Sequence, residues 1–207
     1  MMSGIIKITI MKKLLLFLTV LSLLFVSIEL EAQHHSAGIH YQIAFNDAVR
    51  ESGLDGAPGN EGEGSRQFGV DYFYKPDGKV TFLTGISINT SQFTTTPAAV
   101  NPPETPFSEE VKFISVPVGV MYDLSKYLYI SGSLLFDFQP AISKSATIED
   151  QSGIGFSSGL GGNYWIGNFR LYLQPTIQMH SIISFTEPWR HARLLDSGLK
   201  AGLAFRF

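Results

Sequence analysis

The last ten residues, GLKAGLAFRF (198–207), put Leu199, Ala201, Leu203, Phe205 and Phe207 at every second position. Gly198, Lys200, Gly202, Ala204 and Arg206 fall between them. A two-residue period describes a strand with one apolar and one polar face, and it excludes an amphipathic helix over the same stretch. The beat recurs along the chain. Ile39, Tyr41, Ile43 and Phe45 carry it, then Phe68, Val70, Tyr72 and Tyr74, then Val80, Phe82, Ile86 and Ile88. Ile114–Tyr122, Leu128–Phe138, Ile154–Tyr164 and Phe169–Met179 follow in the same manner. Counted this way the chain holds about eight strands, and no helical period competes with them.

The connections alternate in length. KPDGK (75–79), DLSK (123–126) and IGN (166–168) are tight turns, whereas 46–65, 94–110, 139–152 and 181–195 read as long polar loops. Short and long connections in turn describe an up-and-down meander whose turns all lie at one end and whose loops all lie at the other. Transmembrane barrels of outer membranes have this asymmetry. The expected fold is therefore all-β: an eight-stranded antiparallel up-and-down transmembrane β-barrel. Pro117 and Pro175 fall in mid-strand, where each removes a ladder hydrogen bond, and local bulges are expected there.

Alternation alone does not say which face is inside. A soluble barrel would bury the apolar face and cover the other with Lys and Glu. Here the polar face is made of Gly, Ser, Thr, Asn, Gln and Tyr. Charged residues are only 16% of the chain, aromatic residues reach 13%, and there are 20 glycines. A narrow lumen packed with small polar groups and an apolar belt facing lipid fit this composition. The segment Met11–Gln33 pairs Lys12 and Lys13 with an apolar run, Leu14–Ile28, and offers Ala32 for cleavage. Residues 1–32 read as a secretory signal peptide, with Met11 the better start, and residues 33–207 as the barrel domain. The mature chain then holds 12 basic and 16 acidic residues, which gives no basic footprint for nucleic acid. With no cysteine, neither a disulfide framework nor a thiolate metal site is available.

The central stretch FISVPVGVMYDLSKYLYISGSLLFDF, Phe113–Phe138, resembles the core of a Gram-negative outer-membrane barrel family labelled porin-like or PorT-like. Its matching features are Phe113, the Val116-Pro117-Val118 core, Tyr122 ahead of a short turn, and Gly132 in the return strand. The resemblance implies an eight-stranded plan over residues 36–207 and leaves open a role in a secretion complex. The C-terminal Leu203, Phe205 and Phe207 resemble the sorting signal that the barrel-assembly machinery reads.

Candidate chemistry is sparse. Inward-facing charges are expected at Asp71, Asp137, Arg170, Lys200 and Arg206, where isolation would be costly and pairing is expected. Trp189, Arg190, His191 and Arg193 cluster in the last long loop. Their cations suit the phosphates of lipopolysaccharide. His180 with Ser181 or Ser184 and Glu187 has the residue types of a hydrolase, which would make the chain a lipid A-modifying enzyme. No nucleophile elbow supports that reading, and His180-Ser181-Ile182 departs from the deacylase pattern. His34, His35 and His40 lack a carboxylate cluster at ligand spacing, and GNEGEG (59–64) lacks the ordered acidic spacing of a calcium loop, so neither a metal nor another cofactor is expected. The reading that emerges is a non-enzymatic barrel. Its expected contacts are outer-membrane lipid and lipopolysaccharide, the assembly machinery and an unidentified envelope protein. A narrow solute channel is the alternative.

Overall fold

The computed structural model describes residues 34–49, 59–76, 78–97, 105–140, 147–186 and 192–207. The signal-peptide expectation falls on residues outside these. Eight strands form one closed antiparallel ring: β1 (His35–Val49), β2 (Gly59–Tyr74), β3 (Val80–Thr96), β4 (Phe107–Asp123), β5 (Leu128–Phe138), β6 (Gly153–Ile166), β7 (Phe169–Ser184) and β8 (Arg193–Arg206). Each strand pairs with its neighbours in sequence, and β8 returns to β1 from Ser36↔Arg206 to Val49↔Arg193. Closure leaves no open edge of unpaired backbone groups. Near the turn end the seam is sealed by Phe207 N donating to His35 O (3.1 Å), and Arg206 N donates to Asn168 O (2.8 Å).

The tight turns lie where their chemistry places them. Gly78 and Gly167 adopt positive φ (100° and 59°) in the β2–β3 and β6–β7 turns, a conformation that glycine enters without a Cβ penalty. At the other end the strands run well into the stretches expected as loops. β1 continues to Val49, β3 to Thr96 and β7 to Ser184, while β2 starts at Gly59, β4 at Phe107 and β8 at Arg193. The apolar beat fades there, yet backbone pairing persists. Ladder hydrogen bonds do not need an apolar face once the sheet stands in water.

The two mid-strand prolines correct the expectation of bulges. Around Pro117, β3 and β4 pair through Thr84↔Val118 and resume at Ser87↔Ser115 in the same register. Around Pro175, β6 and β7 lapse between Gly159↔Thr176 and Gly162↔Leu173, again without a shift. Each proline keeps its pairing on the opposite side, with Leu135 and Leu199 respectively. The ladder tolerates a local gap because the flanking pairs hold the register. The register shifts lie elsewhere, at Gly62/Gly64 in β2 and at Ile154/Phe156 opposite Ile183 and Met179 of β7. The second coincides with Ser181, whose φ of 49° is unusual for a residue bearing a Cβ. Such a bulge re-aims the side chains beside it; here those belong to the most buried polar cluster of the barrel.

Candidate functional site

The interior is built on the inward face of β7, where Arg170, Tyr172, Gln174, Thr176, Gln178 and His180 are all buried. From the turn end upward they meet four successive surroundings. The lowest is aromatic. Phe73, Met121, Tyr129, Tyr172 and Ala204 pack together, with Leu83 against them. The Arg170 guanidinium lies 5.1 Å from the Phe73 and Tyr129 ring centres and 5.5 Å from that of Tyr172. The two tyrosines lie flat over glycines: a methyl group at Gly161 would overlap the Tyr129 ring, and one at Gly202 the Tyr172 ring. Tyr172 OH donates to Asp71 Oδ2 (2.6 Å), and His40 Nδ1 reaches the same oxygen (2.8 Å).

Above this comes an amide layer. Tyr129 OH donates to Gln174 Oε1 (3.0 Å), and Gln174 Nε2 donates to Ser131 Oγ (2.8 Å). Gln178 Nε2 spans to Gln42 Oε1 (3.3 Å) and Gln67 Oε1 (3.4 Å). Each amide offers both donors and acceptors, so this layer satisfies itself across the full width of the lumen.

The third surrounding is ionic. His180 is fully buried, with Nδ1 3.0 Å from Asp137 Oδ2 and Nε2 3.6 Å from Asp196 Oδ2. Asn89 Nδ2 donates to Ser115 Oγ (2.8 Å), and Ser115 Oγ donates to Asp137. The Phe113 ring meets the imidazole edge to face at 4.7 Å.

The fourth is a cap. Ile148, from the segment between β5 and β6, inserts among Phe93, Val111, Phe113 and Leu194. Thr147 Oγ1 donates to Glu109 Oε2 (2.5 Å), Gln151 Nε2 to Ala192 O (2.8 Å), and Ala192 N to Glu149 Oε2 (3.1 Å). Among the described residues, apolar clusters therefore stand towards both ends of the lumen, with polar side chains between them.

The outer wall is the reverse. On β7, Leu171, Leu173 and Ile177 are 46%, 50% and 59% exposed, whereas the alternating Tyr172, Gln174 and Thr176 are 6%, 8% and 3% exposed. The same parity holds for Ile39, Phe68, Ile86, Val118, Ile130 and Leu160 around the ring. Aromatic rings gather towards the turn end, with Tyr74 against Phe82 (6.3 Å), Tyr127 against Tyr164 (6.2 Å) and Phe169 against Phe205 (5.1 Å). A continuous apolar belt with an aromatic border around a polar core suits hydrocarbon and not water.

The chain folds as a small transmembrane β-barrel of the outer-membrane type.

No protein-family model matches the sequence, and neither does the sequence of any curated protein. Solved structures do match. One is Ail, the attachment invasion locus protein of Yersinia pestis, in complex with the heparin analogue sucrose octasulfate. It is 14% identical, with 83% of this chain and 99% of that one covered and a TM-score of 0.49. The outer membrane protein OprG from Pseudomonas aeruginosa is 12% identical, with 84% and 96% covered and a TM-score of 0.46. The outer membrane protein AlkL in lipid bilayers is 11% identical, with 84% and 90% covered and a TM-score of 0.47.

The charged residues singled out in the sequence occupy three separate places in this barrel. Asp71, Arg170 and Lys200 line one cavity in the lower lumen. Asp137 stands apart in the ionic layer with His180. Arg206 lies at the turn end, 3.8 Å over the Trp165 ring. Arg193 is exposed at the start of β8, and Trp189, Arg190, His191 and Glu187 lie outside the described residues. The hydrolase constellation is not assembled among the described residues. Ser181 Oγ is buried without a hydrogen-bond partner, and Ser184 Oγ lies 3.4 Å from Thr186 Oγ1. The three N-terminal histidines also part company: His34 reaches Lys75 O, His35 the Tyr72 hydroxyl and His40 the Asp71 carboxylate.

Asp196 goes unmarked in the sequence because it lies between the last expected loop, 181–195, and the C-terminal beat counted over 198–207. Carrying the C-terminal beat back from Leu203 places it inward. The glutamine layer and the Ile148 cap carry no local signal, since their partners come from strands far apart in sequence.

Proposed function

We propose that the protein is a non-enzymatic resident of the outer membrane that acts through its loop end and not through its lumen. The observation that carries this reading is the filled interior: aromatic residues below, amides and ions in the middle, and the Ile148 cap above. A solute path would have to displace the Gln42–Gln67–Gln178 contacts and both apolar clusters. The polar strand extensions and the loops remain for recognition. Arg190 and Arg193, beside Trp189 and His191, supply cations for lipopolysaccharide phosphates, and an envelope protein, in the manner of a secretion-complex subunit, is the partner class that the PorT-like resemblance favours. Reconstituted into planar bilayers, the purified barrel is expected to give no stepwise conductance above the lipid background. Sustained single-channel steps would overturn the reading in favour of a narrow channel.

The end of β8 serves assembly in this proposal. Phe207 and Phe205 share the outer face, and burial of either ring is worth about 1.5–3 kcal/mol. As interfacial rings the two are nearly equivalent. As a signal read by the assembly machinery they are not. Phe207→Ala is expected to lower the amount inserted in cells several-fold more than Phe205→Ala, while both variants refold alike in detergent. Equal losses in cells would reduce Phe207 to one more ring of the aromatic border.

A further inference from the structure

The lipid-facing wall is not evenly filled. Near the turn end, β6 points Leu160 and Tyr164 outward, and between them stands Gly162. The register sets Gly162 between Leu128 of β5 and Leu173 of β7. That rung has bare backbone at its centre and a leucine on each side. The result is a shallow groove of about 490 Å3 on the outside of the barrel, walled by Tyr127, Leu128, Tyr164, Leu171 and Leu173. Nothing in the fold itself asks for glycine here. A Cβ on Gly162 would come no closer than 3.7 Å to a heavy atom beyond its chain neighbours, which is ordinary contact, and Gly162 does not adopt a positive φ. Gly159 and Gly161 differ, since a methyl group there would strike Gln174 and Tyr129 respectively. A glycine inside a strand weakens it, and one that packing does not require marks a place where another group approaches closely.

The groove is held open, and a cation stands beside it. Asn163 N donates to Tyr127 O (2.8 Å), which ties the β4–β5 turn to β6. Ser125 Oγ accepts from Tyr127 N (3.3 Å) and Leu128 N (3.1 Å), and the Tyr127 ring stacks against that of Tyr164 at 6.2 Å. Lys126 is exposed, with Nζ 5.4 Å from the centre of the Tyr127 ring. It has no carboxylate within ion-pair distance among the described residues. Asp123, the nearest acid in sequence, pairs with Lys75 at 2.5 Å. In the β4–β5 register Asp123 stands opposite the buried Tyr129, on the lumen side of the wall. No acid lines the groove.

We propose that this groove binds one anionic phospholipid of the turn-side leaflet, with an acyl chain over Gly162 between Leu128 and Leu173 and the headgroup phosphate on the Lys126 ammonium. In hydrocarbon a groove gains nothing by leaving water, so what holds the chain is close packing. A chain lying over bare backbone touches both leucines and the tyrosine rings at once, which a flat wall would not allow. The unpaired ammonium at the aromatic border supplies the selectivity. A headgroup of net negative charge, of which phosphatidylglycerol is the type, is attracted there, whereas the cation of a zwitterionic headgroup offsets the attraction. The lysine stem can lie along apolar surface while its ammonium reaches the headgroup level.

The test is native mass spectrometry of the full barrel released from nanodiscs that hold phosphatidylglycerol and phosphatidylcholine in equal parts with matched chains. The wild type is expected to retain a single phospholipid, with phosphatidylglycerol in excess. Gly162→Leu fills the groove with a side chain of the kind the belt already carries. It is expected to lose most of the retained lipid while keeping the gel mobility of the folded form. Lys126→Gln is expected to retain lipid but to lower the preference for phosphatidylglycerol about two- to fivefold, the range of an exposed ion pair. A wild type released bare overturns the proposal. So does a Gly162→Leu variant that keeps as much lipid as the wild type, and so does an unchanged preference in Lys126→Gln. If Gly162→Leu instead dissociates a wild-type dimer, the groove is a contact between two copies and the proposal fails. Should Gly162→Leu not fold, a phosphatidylglycerol with a photoreactive chain decides the matter on the wild type. Labelling concentrated on the peptide that holds Gly162 supports the site, and even labelling around the ring overturns it.

Discussion

His180→Ala is expected to destabilise the barrel by about 3–5 kcal/mol, the cost of breaking a buried ion cluster by removing one partner. The imidazole stands between Asp137 and Asp196, and all three side chains are almost wholly buried. Without it two carboxylates face each other inside the lumen with no cation between them. Asp137 keeps the Ser115 hydroxyl, while Asp196 Oδ1 already lacks a hydrogen-bond partner among the described residues. Against a typical total of 5–15 kcal/mol for a folded domain, such a loss removes a large share of the stability. The check is urea unfolding of the variant in lipid vesicles. A companion variant makes the cause specific. Adding Asp137→Asn and Asp196→Asn to His180→Ala removes the uncompensated charge and is expected to recover most of the loss. If His180→Ala alone stays within about 1 kcal/mol of wild type, the ionic layer contributes little to holding the barrel together.

The position of this cluster also shows where sequence reasoning stops. Strand parity along β7 puts His180 on the same side as Arg170 and Gln178, so its inward direction is legible from the two-residue beat. Its partners are not. Asp137 comes from β5 and Asp196 from β8, and only the register of a closed ring brings them together. The bulge at Ser181, which interrupts the parity just beyond His180, has no signature in the Ser181-Ile182-Ile183 stretch. The outer belt was far more legible, because every outward position reports on one medium, and Leu, Ile, Val and aromatic residues recur there regardless of neighbours. Lumen positions report on particular partners. That is why the two-residue beat sets Asp71, Asp137, Arg170, Lys200 and Arg206 on the polar face yet carries no trace of their division among an anion-excess layer, a cation-excess cavity and the turn end.

This division gives the lumen an axial order. The ionic layer near the loop end has two carboxylates around one histidine, and the cavity below has two cations around one carboxylate. The amide layer separates them. Glutamines suit the separation: they carry no charge, reach into the lumen, and set the donor of one amide against the acceptor of the next, as Gln42 and Gln178 do reciprocally (3.4 and 3.3 Å). The small residues that make room for large inward side chains are equally purposeful. Gly161 and Gly202 supply the floor on which Tyr129 and Tyr172 lie, so the lower lumen closes with rings laid against the wall instead of rings crowded at its centre.

A series of arginine substitutions along the outer face of β7 separates a lipid-facing belt from a wet one. Phe169, Leu171, Leu173 and Ile177 all point outward and are exposed on the isolated chain. Leu173 is four residues from Phe169, which at ~3.3 Å per residue and a strand tilt of about 40° places it roughly 10 Å deeper in the belt. In hydrocarbon the cost of arginine depends on that depth, about 2–4 kcal/mol near the midplane and about 0–1 near the interface. Leu173→Arg and Ile177→Arg are therefore expected to cost several times as much as Phe169→Arg, with Leu171→Arg between them. The measurement is the folding equilibrium into lipid vesicles, read from the fraction that keeps the mobility of the folded form. In water the same four positions would be exposed surface sites, where substitutions stay within about 0.5 kcal/mol and show no dependence on depth. A flat profile near zero would mean that the apolar belt does not meet lipid. A profile that peaks between Leu173 and Ile177 and falls off towards Phe169 requires a medium about as thick as the hydrocarbon core, with this barrel standing across it.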